Sequence, residues 1–201
     1  MMDKQEIFLE KEFPTRKPTR LRNFDYNTVG AYFITICTEN RQQILSRIVG
    51  AGVLDCPSDT HDNLVGAGVP DCPRVELTKH GQIAEKHILQ LSDFYDYLSI
   101  ESYVIMPNHI HLLLFVRANS KISKNGLSRT PAPTNIERAN NIVSQFVSTF
   151  KRFCNKEYGE NIWQSRFYDH VIRDRKDYET RIKYIHENPM RWFYDELYVK
   201  E

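Results

Sequence analysis

No stretch of the 201-residue chain reaches the roughly 18 consecutive apolar residues that a membrane span requires. The opening residues, "MMDKQEIFLEKEF", mix acids and bases without the apolar centre of a secretion signal. These absences predict a cytoplasmic protein with no membrane partner. The four cysteines, Cys37, Cys56, Cys72 and Cys154, include no Cys-x-x-Cys pair, so neither a zinc cluster nor a disulfide framework is indicated. Free thiols are expected. An excess of charge of one sign is lacking as well: the net charge is +1, so no global basic field announces a nucleic-acid partner.

With 41% hydrophobic and 26% charged residues, the composition is that of an ordinary globular chain. Its length suits one domain with a real core. The cations are unevenly placed. Arg16, Lys17, Arg20 and Arg22 cluster early, while Lys151, Arg152, Arg166, Arg173, Arg175, Lys176, Arg181 and Lys183 crowd the last third. Cations interleaved with Tyr and Phe suit single-stranded nucleic acid, where phosphates meet charge and bases stack on rings. A solvated helix face with charges of both signs would read similarly.

Periodicity predicts the elements. "GAYFITICT" (30–38) reads as a strand buried on both faces. "LTKHGQIAEKHILQL" (77–91) places Ile83, His87, Ile88 and Leu91 on one helical stripe, with Thr78 as N-cap. Residues 98–106 and 109–116 are strands joined by a tight turn at Pro107 and Asn108. A helix then carries Ile142, Val143, Phe146, Val147, Phe150 and Phe153, and stops at Gly159. The short strand "RFYDHVIR" follows, then a helix from about Asp174 to Asn188, capped by Asp174 and ended by Pro189. Strand-helix-strand occurring twice predicts an α+β fold, a ferredoxin-like split β-α-β with an antiparallel sheet.

Two segments fall outside this pattern and are expected to be flexible surface inserts within the single domain, at 49–74 and 120–135. The first repeats "VGAGV" at Val49 and Val65. Reverse-complementing the codons of "VGAGVLD" (49–55) permits "SRTPAPT" (128–134), so the gene could hold two direct copies and one inverted copy of a short repeat. The "GAG" has no following helix with a lysine where one would be needed, so it is a weak match to a phosphate cradle.

The chemistry centres on "VIMPNHIHLLLFV" (104–116). Strand alternation sends successive side chains to opposite faces, so His109 and His111 project side by side. Two imidazoles so placed can share a metal ion, or can form a structural pair. The last helix offers further groups: Tyr184 and Asn188 lie four residues apart, about 40° apart on one face. Asn188, or secondarily Glu187, could complete a site for Mg²⁺, Mn²⁺ or Zn²⁺, while Tyr184 addresses a phosphate.

At these residues the sequence resembles a known family. "VIMPNHIHLLL" is similar to the histidine-hydrophobe-histidine motif of the single-tyrosine HUH transposases, and "IWQSRFYDHVIRDRKDYETRIKYIHENP" resembles the C-terminal motif of their REP-associated branch. The resemblance runs from about Thr28 to Trp192, apart from the inserts. It implies a ferredoxin-like fold with the histidine pair on a central strand and a nucleophile on the C-terminal helix. It implies a divalent metal, Mg²⁺ or Mn²⁺, held by His109, His111 and Asn188. It also implies that Tyr184 forms a 5′-phosphotyrosine with single-stranded DNA, releasing a 3′-hydroxyl, on a hairpin from an extragenic palindrome. Tyr178 is the rival tyrosine, six residues earlier and expected to pack inward. Proteins of this type act as homodimers or as monomers, and both states remain open. Two other readings stand beside this one: a palindrome-binding regulator that does not cut, and a zinc-dependent hydrolase, which would need an acid near the metal and no tyrosine.

Overall fold

The computed structural model describes residues 28–50, 73–117 and 142–200. In chain order these form β1 (Gly30–Cys37), a 3-10 turn at Glu39–Arg41, β2 (Ser46–Val49), β3 (Arg74–Leu77), α1 (Lys79–Phe94), β4 (Leu98–Ile105), β5 (His109–Val116), α2 (Ile142–Tyr158), β6 (Tyr168–Val171), α3 (Arg175–Glu187) and a second 3-10 turn at Trp192–Tyr194. Four strands make one sheet in the order β4-β5-β1-β6, with every neighbouring pair antiparallel. In chain order that is second, third, first, fourth, with α1 and α2 as the crossovers. This is the split β-α-β arrangement expected from the sequence.

The helix ends follow their signals. Thr78 caps α1 by accepting from the Gly81 N–H, and Asp174 caps α3 by accepting from the Asp177 N–H at 2.8 Å. Gly159, at φ 82°, stops α2 in the left-handed region that glycine enters without strain.

Alternation along the central strands divides the interior into two cores. Tyr32, Ile34 and Ile36 of β1 and Ile110, Leu112 and Leu114 of β5 pack against α1 and α2. Phe33, Leu113, Val104 and Met106 face the other way, against Ile185 of α3 and Trp192. Each fully buried Leu, Ile or Phe contributes about 2 kcal/mol by leaving water. The sheet is therefore fixed from both sides, and α3 is held on the face that carries the histidines.

Two expectations need correction. Val49 pairs with Arg74 as the last rung of a β2–β3 hairpin, so the first insert is narrower than 49–74 and hangs from a paired two-stranded stem. Its interior, the second insert at 120–135 and the complementary repeats lie outside the described residues, apart from Val49 and Gly50. Phe153 does not join the core of α2; it is 37% exposed, and the smaller Cys154 is buried instead. Cys37 and Cys154 are free. No described helix is long and apolar enough to cross a membrane.

Candidate active site

β5 pairs with β1 in a register that sets Thr35 opposite His111 and Cys37 opposite His109. Both imidazoles are buried, and their ring centroids lie 4.4 Å apart. Each ring is held through Nδ1. His109 Nδ1 meets Asn108 Oδ1 at 2.8 Å, and His111 Nδ1 meets Thr35 Oγ1 at 2.9 Å. The Asn108 amide is itself oriented, because its Nδ2 donates to the Leu197 carbonyl at 2.8 Å. Asn108 Oδ1 is thus the acceptor, His109 Nδ1 carries the proton, and the lone pair of His109 stays on Nε2. Burial, with the nearby Arg41 charge adding to it, lowers the His109 pKa to about 3. Burial and the neighbouring imidazole lower that of His111 well below its ordinary value. Neutral imidazole is the form that ligates a metal.

α3 lies across these rings. The Tyr184 ring is 5.2 Å from His111 and 5.9 Å from Phe33, edge on to both. Asn188, the C-cap of α3, is 2% exposed. Its Nδ2 donates to Asp195 Oδ2 at 2.8 Å, which leaves Oδ1 free to accept. His109 Nε2, His111 Nε2 and Asn188 Oδ1 are all buried without a hydrogen-bond partner. Buried polar atoms are rarely left so. Three orphaned lone pairs on the residues singled out for a metal are what a cation would satisfy.

Sequence reasoning missed Asp195. Its carboxylate and the two imidazoles present ligand atoms within 4.8 Å of one another. It accepts from Tyr184 Oη at 3.1 Å as well as from Asn188 and from the Leu197 N–H. Burial, then the charge of Asp195 and its hydrogen bond, push the Tyr184 pKa up to about 12. No periodicity points to this acid, because it arrives through the Trp192–Tyr194 turn, which folds the chain back over the site. Trp192 lies 5.9 Å from the His109 ring. Glu187, the secondary ligand, is instead ion-paired with Lys183 and Arg191. Tyr178 packs against the second core.

Among the described residues, the basic side chains do not form one patch. Arg181 lies over the Phe33 ring at 5.3 Å, bonds Asp177, and is close enough for its charge to reach His111. Lys151 is half-buried and donates to the carbonyls of Gln164 and Arg166. Arg166 and Arg173 are exposed on either side of β6. Arg152 lies over Phe153 on the opposite, α1–α2 side. Arg16, Lys17, Arg20 and Arg22 lie outside the described residues.

No protein-family model matches the chain. A Haemophilus influenzae protein described only as uncharacterized is 26% identical over 190 residues, covering 92% of this chain and 93% of that one. A second protein of that organism, described as a candidate REP-associated tyrosine transposase, is 31% identical over 100 residues, 46% of this chain and 50% of its own. The REP-associated tyrosine transposase of Escherichia coli is 28% identical over 92 residues, 46% of this chain and 44% of its own. The match thus spans about half the length of the two relatives named for that activity. The solved structure of a REP-associated tyrosine transposase bound to a REP hairpin superposes with a TM-score of 0.54 at 19% identity, covering 88% of this chain and 76% of that one. In sequence over about half of its length, and in fold over most of it, the chain is similar to the REP-associated tyrosine transposases.

Proposed function

We propose that this chain is a metal-dependent endonuclease and strand transferase for single-stranded DNA, a transposase that works through a 5′-phosphotyrosine on Tyr184. The observation that carries the reading is that His109 Nε2, His111 Nε2 and Asn188 Oδ1 are all buried and unpartnered, with the Tyr184 ring against His111 and with Asp195, which bonds both Tyr184 and Asn188, beside the histidine pair. Two nitrogens and an amide oxygen fit a divalent ion, and oxygen from Asn188 or Asp195 suits Mg²⁺ or Mn²⁺. Such an ion, when bound, polarises a phosphate oxygen and neutralises developing charge.

The chain's own groups supply the rest. Thr35 and Asn108 fix the two rings, and Asp195 fixes the amide. Tyr184 Oη attacks the phosphorus, the bond to the 3′ oxygen breaks, and that oxygen leaves as a 3′-hydroxyl, taking by way of solvent the proton that the phenol gives up. The phenol proton passes to Asp195 Oδ2, which already accepts its hydrogen bond. Attack by a different 3′-hydroxyl on the phosphotyrosine restores Tyr184 and joins the strands.

A hairpin-bearing single strand is the proposed substrate. The structural neighbour is described as bound to a REP hairpin, and Tyr168, 51% exposed on the edge strand β6, offers a ring on which an unpaired base can stack. Asp195 beside the histidine pair is the observation that favours the hydrolase reading, which needs such an acid and no tyrosine. A regulator that binds palindromes would use the same surface without cutting. Incubating the protein with labelled hairpin-bearing single strand and Mn²⁺ or Mg²⁺ separates the three. The proposal expects a protein-DNA product that survives denaturation. Release of DNA without an adduct supports the hydrolase, and binding without release supports the regulator.

A further inference from the structure

The turn that follows β1 has no part in the reading above, yet it is the strained segment of the fold. At Glu39–Arg41 the backbone of Asn40 and Arg41 takes φ of 51° and 57°, and among the described residues these are the non-glycine residues with positive φ. That conformation costs on the order of 1 kcal/mol per residue, and it persists where the surroundings over-determine it. Here they do. The Thr38 N–H and Oγ1 both donate to the Asn108 carbonyl at 3.0 Å, and Oγ1 also donates to the Gln42 carbonyl at 2.8 Å. The Glu39 N–H donates to the Ile162 carbonyl at 2.7 Å, and the Leu45 N–H to the Pro107 carbonyl at 3.0 Å. The turn is thereby clamped to the corner that leads into His109.

What this clamp positions is a cation. Arg41 is half-buried, and its Nη1 is buried with no hydrogen-bond partner. A buried guanidinium N–H is ordinarily paired, because leaving it unmet forfeits its hydration for nothing. The charge of Arg41 reaches both His109 and Cys37, and Cys37 is the register partner of His109. The charge of Lys151, on α2, also reaches Cys37. Its Nζ donates to the Gln164 and Arg166 carbonyls at 2.7 and 3.1 Å, and the Gln164 N–H donates to the Cys37 carbonyl at 3.0 Å. Those two bonds leave the ammonium one proton. The neighbouring acid, Asp195, is already engaged by Tyr184, Asn188 and Leu197.

We propose that Arg41 and Lys151 form a phosphate subsite at the end of β1, beside His109, which takes the backbone phosphate next to the scissile one. The planar fork of Arg41 suits a phosphate's oxygens, and Lys151 adds a point charge. The subsite rests on the single-strand reading above, and it locates where the strand runs once it leaves the metal.

A walk of uncharged phosphates tests it. Hairpin-bearing single strands, each with one methylphosphonate at a successive position, are titrated by fluorescence anisotropy without metal, so that nothing is cut. Wild type should lose about tenfold in affinity at one position flanking the cleaved bond. Arg41→Gln should bind the natural strand about tenfold more weakly and be indifferent to the substitution at that position, while Arg41→Lys recovers part of the loss. Lys151→Gln should blunt the same position more weakly. Arg41→Asn, which tolerates the left-handed backbone, replaces Arg41→Gln if that variant does not fold. Wild type and the Arg41 variants responding alike at every position would overturn the subsite while leaving the Tyr184 adduct standing. A wild type that neither binds single strands nor forms the adduct would overturn both proposals together.

Discussion

Asn188 Nδ2 donates to Asp195 Oδ2 at 2.8 Å, and this bond decides which end of the amide is free: its nitrogen is committed to the acid that lies beside the two imidazoles, and its buried oxygen is left without a partner. Partners of this outer kind are worth about 10–100-fold in metal affinity. Asp195→Ala should therefore weaken Mn²⁺ binding by at least tenfold in calorimetry, with the fold retained. Unchanged affinity would remove Asp195 from the account.

His109→Ala and His111→Ala each delete one of the orphaned nitrogens. An ion that binds only the folded chain stabilises it by about 2.7 kcal/mol at a hundred times its dissociation constant. Wild type should melt several degrees higher in saturating Mn²⁺ than in chelator, and neither variant should. An undiminished shift in both variants would place the metal elsewhere.

The histidine pair was legible in the sequence because strand alternation is rigid: His109 and His111 share a face whatever surrounds them. The caps at Thr78 and Asp174 and the stop at Gly159 were legible for the same reason, each being a local rule of the backbone. Asp195 was not, because its place depends on a turn closing over the site after Pro189, and no spacing encodes that return. The β2–β3 hairpin was hidden by its shortness, its four-residue strands standing far apart in sequence. Phe153 failed as a core residue because it lies about 60° from Phe150 around the helix, whereas Cys154 lies about 40° away on the other flank, nearer the centre of the buried stripe.

The hairpin stem predicts where the first insert can be cut. Replacing residues 51–72 with Asn-Gly keeps the Ser46–Val49 and Arg74–Leu77 pairs and shortens only the loop. Closure entropy should then favour folding by on the order of 1 kcal/mol. The expected melting temperature is equal to or above that of the full chain. A loss of several degrees would show that the insert is part of the packed structure.

Gly81 sits in the first turn of α1, where a Cβ would fall inside contact with the Leu45 carbonyl oxygen and against the Leu77 side chain. The carbonyl is fixed, since it accepts from both the Thr78 N–H and Oγ1. Gly81→Ala should cost about 3 kcal/mol despite alanine's higher helix propensity. Stabilisation in a urea titration would contradict this packing.

The central claim is that Tyr184 is the nucleophile, and three proteins suffice to test it. Wild type, Tyr184→Phe and Tyr178→Phe are incubated with a 5′-labelled and a 3′-labelled hairpin-bearing single strand in Mn²⁺, then run on denaturing gels. Wild type and Tyr178→Phe should retain covalently only the DNA on the 5′-phosphate side of the break, because a phosphotyrosine ester survives denaturation. The opposite fragment should end in a free 3′-hydroxyl, and Tyr184→Phe should give neither product. An adduct persisting in Tyr184→Phe, or lost only in Tyr178→Phe, would contradict the assignment.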